Sequence, residues 1–80
     1  MYYTYVLKSV YSDYLYKGHC SDLNTRLSQH NNGMTKSIKP YIPLELIYFE
    51  KFETVNEAIE REKYFKTAAG RRFLKARMAL

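Results

Sequence analysis

Tyr2-Tyr3-Thr4-Tyr5-Val6-Leu7-Lys8-Ser9 and, after the polar Ser12-Asp13, Tyr14-Leu15-Tyr16-Lys17-Gly18 are the stretches that decide the fold. Both are rich in aromatic and branched apolar residues that fit a pleated, half-buried surface, and their short separation predicts an antiparallel hairpin. Side chains alternate along a strand, so Tyr3, Tyr5 and Leu7 share one face, as do Tyr14, Tyr16 and Gly18 on the partner. A turn centred on Val10-Tyr11 would make facing residue numbers sum to about 21 and set Tyr5 opposite Tyr16.

Outward from the hairpin, Ser21-Asp22 offers cap oxygens to a helix from about Leu23 to Asn31, anchored by Leu23 and Leu27 and ended by Asn31-Asn32-Gly33 as a left-handed cap. Met34 to Pro43, with Pro40, Pro43 and two lysines, reads as an exposed loop. A third strand is expected over Leu44 to Phe52. Thr54-Val55-Asn56-Glu57 is a capping box that opens a second helix running to about Ala69. Gly70 should break or bend it, and helical spacing resumes from Arg71 to Leu80. This order, β-β-α-β-α-α, predicts an α+β fold: a three-stranded antiparallel sheet flanked by helices, one domain over residues 1–80.

The composition, 46% hydrophobic and 26% charged, is that of a globular chain and excludes a disordered one. A single cysteine, Cys20, cannot close an internal disulfide, which points to the cytoplasm. No stretch has the length of a membrane span or the pattern of a secretion signal, so no membrane partner is expected. The net charge of +5 is concentrated at the carboxyl end, where Arg61, Lys63, Lys66, Arg71, Arg72, Lys75 and Arg77 face Glu62 alone; the first sixty residues sum to about −1. Such a basic arm suits a phosphate backbone, and equally a solvated face or an acidic protein surface.

Four groups of side chains carry potential chemistry beyond packing. Ala58, Ile59 and Phe65 place Glu62 on the inward stripe of its helix, where a carboxylate needs a partner. That partner is Lys66 one turn on, or a hard divalent cation such as Mg²⁺ or Mn²⁺. Arg26 and His30, four apart, share a helical face and are either surface residues or a phosphate clamp with a proton carrier. Tyr5 and Tyr16 are either core or phenols that position a water. His19, Cys20 and His30 lack the spacing of a closed zinc site.

Together these residues resemble the GIY-YIG nuclease family, in which two tyrosine motifs on neighbouring strands precede a helical Arg and His and then a helical Glu. The matching positions are Tyr3-Thr4-Tyr5, Tyr16-Lys17-Gly18, Arg26, His30 and Glu62, over Tyr2 to about Leu74. The likeness is greatest to small stand-alone members similar to the nuclease domain of the bacterial excision-repair machinery. The resemblance implies metal-dependent phosphodiester hydrolysis, with Tyr5 as base or water-positioner, Arg26 on the phosphate, Tyr16 and His30 in support, Gly18 giving room and Glu62 holding the metal. DNA is expected ahead of RNA, held by Lys36, Lys39, Lys66, Arg71 and Arg72, with a partner protein or homodimer for targeting. Tyr3, Thr4 and Lys17 depart from the motif; Lys17 faces away from Tyr16 and Gly18 and presents charge on the other sheet face. The competing reading is a non-catalytic nucleic-acid-binding module that stacks bases on sheet tyrosines and tracks phosphates with the basic helix.

Overall fold

Four consecutive residues of the first strand, Thr4 to Leu7, are buried, which requires cover on both faces of the sheet. The computed structural model describes residues 1–78 and places this strand, β1 (Tyr2–Ser9), at the centre of an antiparallel sheet. It lies between β2 (Leu15–Cys20) and β3 (Leu44–Phe52), so β2 and β3 are both edges. Helix α1 (Leu23–Asn31), a 3₁₀ turn (Lys36–Tyr41), α2 (Val55–Phe65) and α3 (Ala68–Met78) complete the expected order. No described helix is long and apolar enough to cross a membrane.

Period-two alternation divides the core into two halves. On one face Tyr5 and Leu7 pack with Ile38 and Leu44, flanked by Leu23 and Leu27 of α1. On the other, Val6 packs with Phe65 of α2 and Leu74 of α3. Thr4 faces α2 as well and is fully buried; its hydroxyl donates to the Ala58 carbonyl at 2.7 Å, which satisfies it and ties helix to strand.

The hairpin register differs from expectation. Tyr5 faces Gly18 and Leu7 faces Tyr16, because the connection is longer than a turn on Val10-Tyr11 and closes through Ser9 N–H donating to the Tyr14 carbonyl at 3.0 Å. Facing numbers therefore sum to 23. A shift of two residues preserves the assignment of faces, so Tyr5 and Tyr16 remain on one side, now as diagonal neighbours with ring centroids 6.2 Å apart.

Helix α1 ends as expected: Gly33 takes φ +77°, and the N–H groups of Gly33 and Met34 donate to His30 and Gln29 carbonyls. The segment expected to be an exposed loop is instead partly a 3₁₀ turn, whose Ile38 is fully buried against Tyr5 and Leu7. Ile42 packs on the same cluster and Tyr41 stacks on Tyr14 with ring centroids 3.8 Å apart, so a few apolar contacts among the lysines fix the segment. The Asn31 side-chain amide clasps the Leu44 backbone, donating at 2.9 Å and accepting at 2.7 Å, and so joins the end of α1 to the start of β3.

The capping box at Thr54 and Glu57 is present. The break between the last two helices, however, falls at Lys66-Thr67 rather than Gly70, because Thr67 caps a new helix by accepting from the Gly70 N–H at 3.0 Å. Gly70 belongs to the first turn of α3 and lies against the α2 backbone, where a Cβ would collide with the Tyr64 carbonyl. Backbone cannot swing aside as a side chain can, so Gly70→Ala is expected to destabilise the fold by about 1–3 kcal/mol, the usual cost of overpacking. A denaturant midpoint equal to wild type would show that the two helices reseat freely. The final two residues of the expected helix lie outside the described residues.

Candidate active site

Tyr5 is 2% exposed, yet its hydroxyl is satisfied: it hydrogen-bonds His30 Nε2 at 2.9 Å, while His30 Nδ1 bonds the Thr35 hydroxyl at 2.8 Å. The chain Tyr5–His30–Thr35 thus links the central strand to α1 and the segment after it. Tyr16 stands over the same imidazole with ring centroids 4.9 Å apart. Gly18 is what allows this approach, since a Cβ there would sit 2.5 Å from the Tyr5 hydroxyl oxygen and 3.1 Å from the Tyr16 ring. Burial, and then Tyr16 beside it, push the Tyr5 phenol well above its ordinary value, with Arg26 offsetting part of the effect. Tyr5 therefore keeps its proton at neutral pH and offers no ring face to a base, whereas Tyr16 is only half-buried.

His30 is held below the ordinary imidazole value of 6.5, first by burial and then by the positive charge of Arg26. A base whose folded pKa lies below its unfolded one contributes stability above the unfolded value, and that stability is lost as pH falls through the folded pKa. Thermal melts taken between about pH 8 and about pH 5 should show wild type weakening over this window and His30→Asn weakening less. Parallel curves for the two proteins would remove His30 as the responsible group. Glu50 and Glu62, both held below 4.5, act in a separate and more acidic window.

Arg26 is exposed on α1, and its Nη1 reaches the Gln29 side-chain oxygen at 3.3 Å. Its charge acts on Tyr5, His30 and Cys20, which sets it at the mouth of the tyrosine cluster. With His19, Ser21 and Gln29 it lines an open cavity of about 400 Å³ between the end of β2, α1 and the start of α2. Tyr5, Tyr16, Gly18, Arg26 and His30 are therefore gathered on one side of β2.

Glu62 approaches β2 from its other side. Its Oε1 lies 2.6 Å from His19 Nδ1, and its Oε2 accepts from Lys66 Nζ at 2.8 Å, with the side chain 18% exposed. Burial alone would raise this carboxyl; Lys66 and His19 outweigh it and hold the group below the ordinary range, so it stays ionised. Lys66 is thus the partner expected on helical grounds. His19 is a second partner, which helical spacing does not reveal. Its position is legible in principle, because a residue next to Gly18 must point to the opposite face, where α2 packs. His19 also lines the Arg26 cavity, so consecutive residues of one edge strand connect the two groups.

The expected phosphate-binding cations divide by location. Lys36 and Lys39 are exposed on the 3₁₀ turn, and Arg71 and Arg72 are exposed on α3. Lys66 is tied to Glu62. Arg61 is no free cation: it is paired with Glu50 through 2.7 and 3.2 Å bonds and lies over the Tyr64, Phe65 and Phe73 rings. Among the described residues no three His, Cys, Asp or Glu side chains cluster as a metal site. The donor set at Glu62 is one ionised, partly accessible carboxylate, and this fits a hard cation that keeps most of its waters rather than one needing a protein cage.

Residues 1–75 match the family described as the GIY-YIG catalytic domain. The chain is 40% identical over 62 residues to a UPF0213 protein of Staphylococcus saprophyticus and 42% identical over 62 residues to one of Staphylococcus epidermidis, in each case covering 76% of both chains. A UPF0213 protein of Staphylococcus aureus is 43% identical over 54 residues, 66% of each chain. No solved structure matches.

Proposed function

The chain belongs to the GIY-YIG catalytic-domain family, and from that premise we propose that it is a divalent-metal-dependent endonuclease that hydrolyses phosphodiester bonds in DNA, ahead of RNA. The observation that carries the proposal is the fixed Tyr5 hydroxyl, held by His30 against Gly18 with Arg26 at the cavity mouth. Such an arrangement sets the exposed Arg26 guanidinium and the half-buried Tyr16 phenol beside a buried Tyr5–His30 pair.

Arg26 binds the scissile phosphate, because its planar fork donates two parallel bonds to phosphate oxygens and its charge offsets the charge that develops there. Tyr16, half-buried on the same side, meets the attacking water. Tyr5 retains its proton, orients its neighbours through hydrogen bonding and passes positional order from His30 and Thr35. Glu62 holds Mg²⁺ or Mn²⁺, which supplies Lewis-acid stabilisation of the phosphate. Lys36, Lys39, Arg71 and Arg72 bind flanking backbone, and Lys66 contributes beside Glu62. The protein acts as one domain in the cytoplasm, and its small surface makes a partner protein or a second copy the source of targeting.

End-labelled single-stranded, duplex and branched DNA and RNA, incubated with Mg²⁺, Mn²⁺ or chelator, test this reading. Cleavage that depends on the metal and favours DNA is the expected result. Absence of cleavage across the whole panel, with folded protein and metal present, would overturn it.

A further inference from the structure

The α3 side of β2 holds a second cavity, of about 470 Å³, that the cleavage site does not use. Lys17 stands between Tyr16 and Gly18 in the chain and points away from both. With Lys8, Arg71 and Lys75 it surrounds an apolar floor of Leu15 and Leu74, and Asp13 is the one acid at the rim. Lys8 is already engaged, donating to the Ser9 and Ser12 carbonyls at 3.1 and 2.9 Å. Among the described residues no carboxylate lies within ion-pair distance of Lys17, Arg71 or Lys75.

Lys17 is half-buried, and burial followed by the nearby charges of Arg71 and Lys66 lowers its pKa. Arg71 Nη1 donates to the Lys66 carbonyl at 2.8 Å, which leaves its charge unneutralised. Cations gathered around a concave surface without a carboxylate partner disfavour one another, and no ion pair among the described residues relieves this. A phosphate would relieve it, accepting from the ammonium groups as point charges and from the Arg71 fork in its plane. The apolar floor leaves those donors as the polar groups that define the cavity. Lys66 stands between Glu62 and the cavity on this same face, since its amine bonds Glu62 and its charge reaches Lys17.

We propose that this cavity binds a backbone phosphate of the nucleic acid outside the cleavage position, so that the substrate strand passes around the β2 edge from the tyrosine side to α3. The proposal rests on the nuclease reading for its ligand. A polynucleotide is favoured over a free anion because the cavity is open and adjoins the candidate cleavage site along one strand.

Fluorescence anisotropy with labelled single-stranded and duplex DNA, in chelator so that nothing is cut, separates the cases. Lys17→Ile and Lys75→Glu should each weaken binding about tenfold, as removal of a charge-assisted hydrogen bond implies. Each should also flatten the slope of log affinity against log salt by about 0.7 to 0.9 for every phosphate no longer neutralised. Lys51→Glu, a charge reversal on the far edge β3, is the control for diffuse attraction. Equal losses for Lys51→Glu and Lys75→Glu would overturn the built site, as would DNA binding unchanged by Lys17→Ile and Lys75→Glu. Calorimetry with inorganic phosphate supplies the other arm: tight phosphate binding that Lys75→Glu abolishes, with DNA affinity untouched, would reassign the cavity to a free anion. Wild-type protein that binds no nucleic acid would overturn the nuclease reading together with this one.

Discussion

Glu62→Gln is expected to reduce metal-dependent cleavage on the order of 10³-fold, the loss of several kcal/mol of transition-state stabilisation, while the protein remains folded. The substitution keeps the side chain's size and one acceptor oxygen, so His19 and Lys66 retain a hydrogen-bonding neighbour. What is lost is the charge, and an amide is a far poorer ligand than a carboxylate for a hard divalent cation. Lys66 and His19 hold Glu62 ionised near neutral pH while each engages one of its oxygens, so a cation would bind by sharing or displacing those bonds. Nucleic-acid affinity measured in chelator should persist or rise slightly, since a negative charge leaves a basic surface. Cleavage by Glu62→Gln within severalfold of wild type would remove Glu62 from the mechanism. Loss of folding, read by circular dichroism, would assign the residue instead to its ion pairs.

How much of this is legible in the sequence follows from what each signal depends on. Strand alternation is local, so β1, β3 and the sharing of a face by Tyr5 and Tyr16 can be read from the chain. Caps are local too, and Asp22, Gly33 and Thr54 all act where their chemistry suggests. The hairpin register depends on loop length, which turn-forming residues alone do not fix between Val10 and Tyr14. Conformational preference puts the helix break at Gly70, whereas the deciding property of that glycine is its lack of a side chain against Tyr64. Ile38 is hidden because composition averages over a segment, while burial is decided one side chain at a time.

The candidate site shows the same division. Helical spacing pairs Arg26 with His30, but the Tyr5–His30 bond spans 25 residues and requires the tertiary fold. Likewise, the choice between Tyr5 as base and Tyr5 as positioner narrows only once its burial is known. In the sequence His19 looks like a stray metal ligand beside Cys20; only the packing of α2 on the back of β2 reveals it as the neighbour of Glu62.

Arg26→Ala is expected to lower kcat about 10²- to 10³-fold, the range for removing one preorganised donor from a developing charge, with a smaller change in KM. Arg26 is exposed and its hydrogen bond is a long one to Gln29, so stability should stay within about 0.5 kcal/mol of wild type. Catalysis and folding are thereby separated at this position, which they are not at Tyr5 or Gly18. A second consequence follows from its charge. Arg26 helps hold His30's pKa down, so its removal should bring the folded value closer to the unfolded one and make the acid-side stability loss smaller. Arg26→Lys should restore that pH response but only part of the rate, because an ammonium supplies the charge without the planar fork. Full recovery of kcat by lysine would show that positive potential, rather than paired donation to phosphate oxygens, is what this position contributes.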